Sequence, residues 1–311
     1  MNVLILSAIK KINLIKAFYE CSRSYDCKII IADNDLSKKN TQINNKFTNL
    51  IIKSPKYSNN YVKWLIKTVI KYDINLVVPT NSDEIFFTER LRRIKFKHRL
   101  YLTGIPQNKV KFVNDKKRLF FFLKNNKIQK PKLLFLKNKL INEKKFIIKD
   151  RYGKKSKGLE ILNNFDELLK YKKKGLLNKK IIQEFKRGQE FGLDIVNDFN
   201  GNYLGVLVRK KILMQDGETK IAKISKPDKF VSLAKRLSKL VKHKGLIDID
   251  LIKIKKKIFV LDINPRFGGG YILSHKAGAN IPSLLMNLVK NKKNTTEYFF
   301  KQNFGKIVKI N

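Results

Sequence analysis

Two different hydrophobic periods divide the chain. Over the first hundred residues, short apolar runs alternate with amphipathic segments. "NVLILSAI" is a continuous apolar run, and "INLIKAFYECSRSY" repeats its apolar positions with helical spacing. "CKIIIADND" is a second apolar run that closes in acids. "NYVKWLIKTVIKYD" is an amphipathic helix, and "INLVVPTNSDE" is a strand running into a polar loop. Strands alternating with helices predict βαβ units and a parallel sheet. Ligands of such a sheet lie beyond the carboxyl ends of its strands. That rim carries Asp33, Asp35, Thr80, Asn81, Asp83 and Glu84. No G-x-G-x-x-G follows the first strand, which argues against a dinucleotide site.

"LTGIPQNKVKFVNDKKRLFFFLKNNKIQKPK" predicts a linker, then a helix, then a turn at Pro131. From about residue 145 the period changes to that of antiparallel sheet. "FIIKD", "GLEIL", "IIQEF", "GLDIV" and "YLGVLV" are strands separated by short turns. "DKFVSLAKRLSKLVKHKG" has apolar positions three and four apart and predicts a helix. "GLIDIDLIKI" and "KIFVLDIN" are two further strands. "NIPSLLMNLVKN" is a final helix with Pro282 in its first turn.

The composition supports a globular chain of two or three lobes. Its 311 residues are 43% hydrophobic and 30% charged, enough for a substantial core. No run of about 18 apolar residues appears, so no membrane span is expected. "MNVLILSAIKK" lacks a basic leading segment and reads as a buried strand rather than a secretion signal. Cys21 and Cys27 have no metal-ligand spacing, so a reducing, cytoplasmic setting is the expectation. The net charge of +44 points toward nucleic acid or another anionic surface. Yet the basic residues spread along the whole chain, with Lys, Asn and Ile used heavily and Arg scarce. AT-rich coding produces that pattern irrespective of function, and nucleic acid is not the expected partner.

Four stretches carry candidate chemistry. In "FVLDINPRFGGGY" the strand period of two aims Asp262, Asn264 and Arg266 at one side. Such a row suits a hard cation beside a phosphate, and it also suits a solvated edge strand. In "FIIKDRYGKKSKGLEIL", Lys149 precedes a turn from Gly153 to Gly158. Glycine at both ends lets backbone N–H groups surround an anion, with Ser156 and Lys149 beside it. A plain basic hairpin tip has the same composition. "IIQEFKRGQEFGLDIV" offers an apolar slot and carboxylates, or ordinary strand-edge polarity. "GLIDIDLI" puts Asp248 and Asp250 on one face. Only "KKKI" separates this strand from the next, so a hairpin would bring Asp250 beside Asp262. Facing carboxylates repel unless a cation lies between them.

The order of these elements resembles the ATP-grasp superfamily: Lys149, a Gly-rich hairpin, Q-E-F, G-Q-E-F, D-I-D, and D-I-N-P-R-F-G-G-G. The nearest branch is that of the carbamoyl phosphate synthetase large subunit and biotin carboxylase. "LDINPRFGGGYILSHKAGANIP" is its most specific part, and the resemblance spans about residues 107–290. It implies an α/β chain that is α+β in its ATP-binding part. A Rossmann-like parallel-sheet domain would occupy 1–106 and a two-lobed ATP-grasp module 107–300. The lid lobe would cover about 130–185, the metal and catalytic lobe about 186–290, and a tail 301–311.

The same resemblance implies residue roles. Lys116 and Lys149 would contact ATP phosphates beneath a loop from Gly153 through Ser156 to Gly158. Gln183, Glu184 and Phe185 would line the adenine, and Glu190 would hold the ribose. Asp250, Asp262 and Asn264 would hold Mg²⁺, with Mn²⁺ as a substitute. Arg266, with Lys149, would stabilise the transferring phosphoryl group or acyl intermediate. Arg209 and Lys210 would be further substrate or phosphate contacts, and His275 fits a structural helix position better than a substrate contact. Relatives carry Glu at the position of Asp262, and Glu or Gln at that of Asp250. The side chains here are shorter by a methylene, and a misplacement of about 1 Å can cost on the order of 100-fold in rate.

The implied activity is ATP-dependent ligation. A carboxylate would be activated as an acyl phosphate and joined to an amine, both small molecules, in a chain compatible with a homodimer. An ATP-grasp kinase, a non-catalytic ATP-binding protein and a nucleic-acid-binding protein are the alternatives. The last has little of the aromatic–basic interleaving of single-strand platforms.

Overall fold

The computed structural model describes residues 1–37, 46–135, 145–153, 158–291 and 296–310. The amino-terminal part is built on five parallel strands: β1 (Asn2–Leu6), β2 (Lys28–Asp33), β3 (Leu50–Lys53), β4 (Leu76–Pro79) and β5 (Tyr101–Leu102). Their order is β3-β2-β1-β4-β5. The apolar run of β1 is buried on both faces, as an interior parallel strand requires. Val3 and Ile5 pack with α1 (Ile12–Ser22), while Leu4 and Leu6 pack toward α2 (Asn59–Lys71). The polar stretch after β4 is a helix, α3 (Ser82–Thr88), rather than the expected loop. Asn81 caps it by accepting from the Asp83 N–H at 3.3 Å, and Asp83 and Glu84 occupy its first turn, a standard start signal.

The expected linker after β5 contains a further helix, α4 (Gln107–Val113), followed by α5 (Lys116–Asn125). A four-stranded antiparallel sheet comes next, in the order β6-β9-β7-β8. It consists of β6 (Leu133–Leu134), β7 (Phe146–Asp150), β8 (Glu160–Leu162) and β9 (Lys180–Glu184), with α6 (Phe165–Lys173) against it.

The largest sheet is antiparallel and runs β14-β13-β10-β11-β12-β15. Its strands are β10 (Gln189–Asn197), β11 (Tyr203–Gln215), β12 (Glu218–Ser225), β13 (Gly245–Ile254), β14 (Lys257–Asn264) and β15 (Ile307–Lys309). One face presents Leu193, Ile195, Val208, Ile249 and Ile263 to α4, α5 and α7 (Asp228–Val241). The other face carries the acids described below. Beyond β14 come α8 (Tyr271–Lys276) and α9 (Ile281–Val289), with Pro282 in the first turn of α9 as expected. The whole is the expected α/β arrangement, a parallel sheet followed by antiparallel sheets. No helix among the described residues is long and apolar enough to cross a membrane.

Candidate functional site

The β13–β14 hairpin sets the centre of the site. Its register places Asp250 opposite Asp262 and Asp248 opposite Asn264. Directly opposed residues share a face, so these four polar side chains form one patch. The pairing shifts between Asp250 and Leu251, because Leu251 pairs with Val260 and leaves Leu261 without a partner. This bulge re-aims the backbone. Half-buried Leu261 lines a narrow cavity with Lys116, Leu119, Lys149 and Gln183. The alternating row stops at Asn264, where β14 ends. Arg266 lies beyond it, donating from Nη1 to the Phe267 carbonyl at 2.9 Å. The expected continuation of one strand face through Arg266 therefore does not occur. Arg266 is nevertheless among the charges that act on Asp248.

Three lysines converge on the acids. Lys211 Nζ lies 2.6 Å from Asp250 Oδ1 and 3.5 Å from Glu190 Oε2. Lys116 Nζ lies 3.8 Å from Asp262 Oδ2. Burial lowers the Lys149 ammonium to about 8, against the pull of Asp262 and together with the push of Lys116. Burial raises the Asp262 carboxyl, opposed by Lys116 and Lys149 and reinforced by Asp250. Asp248 is pushed up to about 7 by burial and by its acidic neighbours Asp250 and Asp194, against Arg209 and Arg266. Lys211 is raised: burial alone would lower it, but Asp250 more than reverses that. Perturbations of this kind, produced by burial and named charges in one cleft, mark functional sites. Lys211 was not among the residues singled out in the sequence. It reaches Asp250 only because β10 lies between β11 and β13.

The small sheet is clamped onto this patch. Asp115 caps α5, accepting from the N–H groups of Lys117 at 3.0 Å and Arg118 at 3.2 Å. It also receives a two-pronged bond from Arg151, at 2.8 and 2.6 Å. Burial alone would raise the Asp115 carboxyl, but the Arg151 fork and the two N–H groups hold it below its usual range. The Lys116 N–H donates to the Arg151 carbonyl at 3.0 Å, and Lys116 Nζ to the Gly153 carbonyl at 2.5 Å. The end of β7 and the start of α5 are thereby fixed together, which brings Lys116 and Lys149 to one place. Gly158 has φ +68°, and a Cβ there would lie 2.5 Å from Asp150 Oδ2, so any other residue would be strained and would displace Asp150. Ser156 and the middle of the expected phosphate loop lie outside the described residues.

The Q-E-F stretch divides between two faces. Gln183 is 7% exposed and lines the cavity beside Leu261. Glu184 points the other way, accepting from the Lys132 N–H at 2.8 Å and pairing with Lys186 at 2.9 Å. Phe185 follows the end of β9, its N–H bonded to the Lys145 carbonyl at 3.1 Å. The Glu190 side chain is 46% exposed at the Lys211 edge.

Arg209 is a buried anchor. It pairs through two nitrogens with the fully buried Asp194, and it donates to Ser274 Oγ at 3.0 Å and Asp248 Oδ1 at 3.4 Å. At 2% exposure it has no surface for a substrate. Its neighbour Lys210 faces the opposite side of β11, by the period of two. Arg209 explains part of the glycine run. A Cβ at Gly270 would lie 3.1 Å from Arg209 Nε, and one at Gly268 only 2.3 Å from Asp248 Cγ. His275 donates from Nδ1 to the Ala279 carbonyl at 3.0 Å and shapes the α8–α9 turn. The amino-terminal rim is internally bonded. Asp33 accepts from the Ile9 N–H at 3.1 Å, and Glu84, 1% exposed, accepts from Ser7 Oγ at 3.1 Å and from the Tyr61 hydroxyl.

Among the described residues no cluster of three or more His, Cys, Asp and Glu could hold a metal ion alone. Two carboxylates and an amide do share one strand face at Asp250, Asp262 and Asn264, where Asn264 Nδ2 donates to Asp248 Oδ2 at 3.3 Å. That donor set fits Mg²⁺, which takes one or two carboxylates and completes its shell with phosphate oxygens and water.

Comparison with known proteins agrees with this architecture. Residues 113–270 match the family model of the ATP-grasp domain. The chain belongs to the ATP-grasp family. An uncharacterized protein of Methanocaldococcus jannaschii is 28% identical over 194 residues, covering 59% of this chain and 49% of that one. The chain thus spans about half the length of this curated relative. Among solved structures, an L-amino acid ligase from Bacillus licheniformis superposes with a TM-score of 0.69 at 16% identity, over 96% of this chain and 76% of that one. The biotin carboxylase domain of Hydrogenobacter thermophilus 2-oxoglutarate carboxylase gives 0.72 at 12% identity, over 98% and 73%. N5-carboxyaminoimidazole synthetase from Staphylococcus aureus, solved with ADP, gives 0.71 at 12% identity, over 94% and 78%. These likenesses show the fold.

Proposed function

We propose that this protein is an ATP-dependent ligase that activates a small-molecule carboxylate as its acyl phosphate and passes the acyl group to an amine. The observation that carries the reading is the pairing of Asp250 with Asp262 on adjacent strands, facing Lys116 and Lys149. Two acids and two lysines at one point form a receptacle for a polyphosphate with its cation. The similarity to structures of a ligase, a carboxylase and a synthetase, two of them solved with ADP, supports the same class.

ATP would lie between the small sheet and the large one. The cavity beside Leu261 and Gln183 would take the adenine, with the backbone around Glu184 and Phe185 along its edge and Glu190 at the ribose. Lys116 and Lys149 would hold the phosphates under the Gly153–Gly158 loop. Asp250, Asp262 and Asn264 would hold Mg²⁺, which when bound would neutralise phosphate charge. The substrate carboxylate oxygen would attack the γ-phosphorus and release ADP. The amine would then attack the acyl carbon and release phosphate. Lys149 and Arg266 would offset the negative charge of the first step, where two anions must meet. Catalysis here is positioning and electrostatic stabilisation, and no side-chain nucleophile is needed. Lys211 would orient Asp250.

The test is coupled detection of ADP across a panel of amino and other organic acids, each with and without amines, followed by mass analysis of the products. ADP release that requires both an acid and an amine, with a new amide of the summed mass less water, is the expected result. ADP release with a phosphorylated product and no amide would replace ligation by kinase chemistry.

A further inference from the structure

A second cavity, of about 300 Å³, opens on the edge of the amino-terminal sheet. It shares no lining residue with the acid–lysine patch. It lies between the turn Glu89–Arg93 and β5, and its floor includes Leu91 and Leu102, each 1% exposed. Its walls carry Arg92, Lys97, His98 and Arg99, and none of its lining residues is acidic.

The basic character of this cavity is not the chain's general lysine background. Residues 90–99 contain six Lys or Arg in ten, whereas the whole chain has 69 in 311. Four of the chain's eleven arginines fall in those ten residues, and no Asp or Glu occurs from 90 to 114. Lysine-favouring codon usage does not produce a concentration of arginine. Arg92, His98 and Arg99 are also held in place. Arg92 donates from Nε to both Glu89 oxygens at 2.9 Å and from Nη2 to the Leu102 carbonyl at 3.0 Å. His98 meets the Ile74 carbonyl at 2.8 Å and Asp73 at 3.1 Å. The Arg99 guanidinium sits 4.9 Å over the Tyr101 ring. Cations fixed in this way lose little freedom on meeting an anion.

We propose that this cavity binds a small phosphate monoester carried on an apolar or aromatic body. Lys97 and Arg99, with the Glu89-paired Arg92 beside them, match a dianion better than a monocarboxylate, and the apolar floor accepts the body. A volume of about 300 Å³ is at the small end of metabolite pockets. The proposal is independent of the ligase reading.

The test is calorimetric titration with phenyl phosphate in about 150 mM salt, where diffuse surface attraction is screened. Four proteins are compared: wild type, Lys97→Glu, Lys97→Glu/Arg99→Glu, and Lys229→Glu/Lys239→Glu on the exposed face of α7. Urea midpoints confirm that each is folded. Asp262→Ala and a benzoate titration serve as further arms. The expected result is saturable one-to-one binding to wild type, about fivefold weaker in Lys97→Glu and tenfold or more weaker in the cavity double variant. The α7 variant and Asp262→Ala should stay within twofold of wild type, and benzoate should bind at least tenfold more weakly. Absence of saturable binding to wild type would overturn the proposal. So would equal loss in the α7 variant, which assigns binding to net charge, or a change of more than twofold in either direction in Asp262→Ala, which assigns it to the nucleotide cleft. Equal affinity for benzoate would overturn the ligand class.

Discussion

Asp250 and Asp262 face each other across adjacent antiparallel strands, and each is met by a lysine from elsewhere, Lys211 at 2.6 Å and Lys116 at 3.8 Å. Neither counter-charge comes from the hairpin itself, although Asp262 also accepts from the Ile263 N–H at 3.0 Å. Lys211 comes from β11, two strands away, and Lys116 from the first turn of α5. The site is therefore assembled by tertiary packing around a local hairpin. Facing acids are costly without cations, and the lysines offset that cost in the free protein.

Lys149 gives the site a pH dependence. Its ammonium is lowered to about 8 by burial, so above that pH the free protein holds it neutral. A polyphosphate favours the charged form, and binding at higher pH must then take up a proton. The dissociation constant for Mg-ATP is expected to rise by up to about tenfold per pH unit above pH 8. In Lys149→Arg the guanidinium stays charged, and the slope between pH 8 and 9.5 should flatten. Titrations at a series of pH values measure both.

Arg209 and Asp194 form a buried pair. Arg209→Ala leaves Asp194, fully buried, without its main counter-charge. Breaking such a pair from one side typically costs about 3–5 kcal/mol. The double variant Asp194→Leu/Arg209→Met removes both charges and should recover most of that loss. Urea unfolding of the single and double variants separates the charge effect from lost packing.

The glycine run has a steric role that substitution can expose. A Cβ at Gly268 would lie 2.3 Å from Asp248 Cγ, whereas one at Gly269 meets nothing closer than Glu218 at 3.5 Å. Gly268→Ala is expected to cost about 1–3 kcal/mol, the range for overpacking, and to weaken Mg-ATP binding by displacing Asp248 and Asn264. Gly269→Ala should be close to neutral. Thermal unfolding of the pair is the measurement.

The Asp250–Asp262 pairing was legible in the sequence because few residues separate the two strands and the period of two does the rest. The Leu261 bulge was not, since one inserted residue leaves no compositional trace. Lys211 was missed because its contact spans three strands, a relation that local periodicity does not contain. The period of two alone carries the strand face to Arg266, but Pro265 follows Asn264, and proline cannot continue the ladder. The start of α3 reads as a loop because it is polar. The signal was present: Asn81 followed three residues later by Glu84, a capping pattern before "IFF". Strands β12 and β15 escaped notice because Lys residues interrupt their apolar alternation and their pairing is set by the sheet. Glu184 was expected at the adenine, but strand alternation with Gln183 turns its carboxylate to Lys186.

Glu84 should make stability fall with rising pH. Burial raises its carboxyl from 4.5 to about 7, against hydrogen bonds from Tyr61 and Ser7. The folded protein then holds a proton that the unfolded chain releases. Its contribution is complete below about pH 4.5 and is lost as pH rises through about 7. His243, fully buried and lowered to about 3, acts in the opposite sense but only below about pH 6.5. Between pH 6.5 and 7 the carboxyl effect stands clear of it. A shift of this size corresponds to about 3 kcal/mol at most. Other groups, Asp248 among them, cancel in the stability difference between wild type and Glu84→Gln, which should change by most of that amount between pH 4.5 and 7 in urea unfolding and little above pH 7.

The most direct test is the thermal stability of the wild type with ATP, with and without Mg²⁺, beside Asp262→Ala and Asn264→Ala. Ligand at about 100 times its dissociation constant adds about 2.7 kcal/mol, or roughly 5 °C for a chain of this size. The account predicts a Mg²⁺-dependent rise in the wild type that both substitutions abolish while the nucleotide-free proteins stay folded. An unchanged wild-type midpoint, or an equal rise in all three proteins, would contradict it.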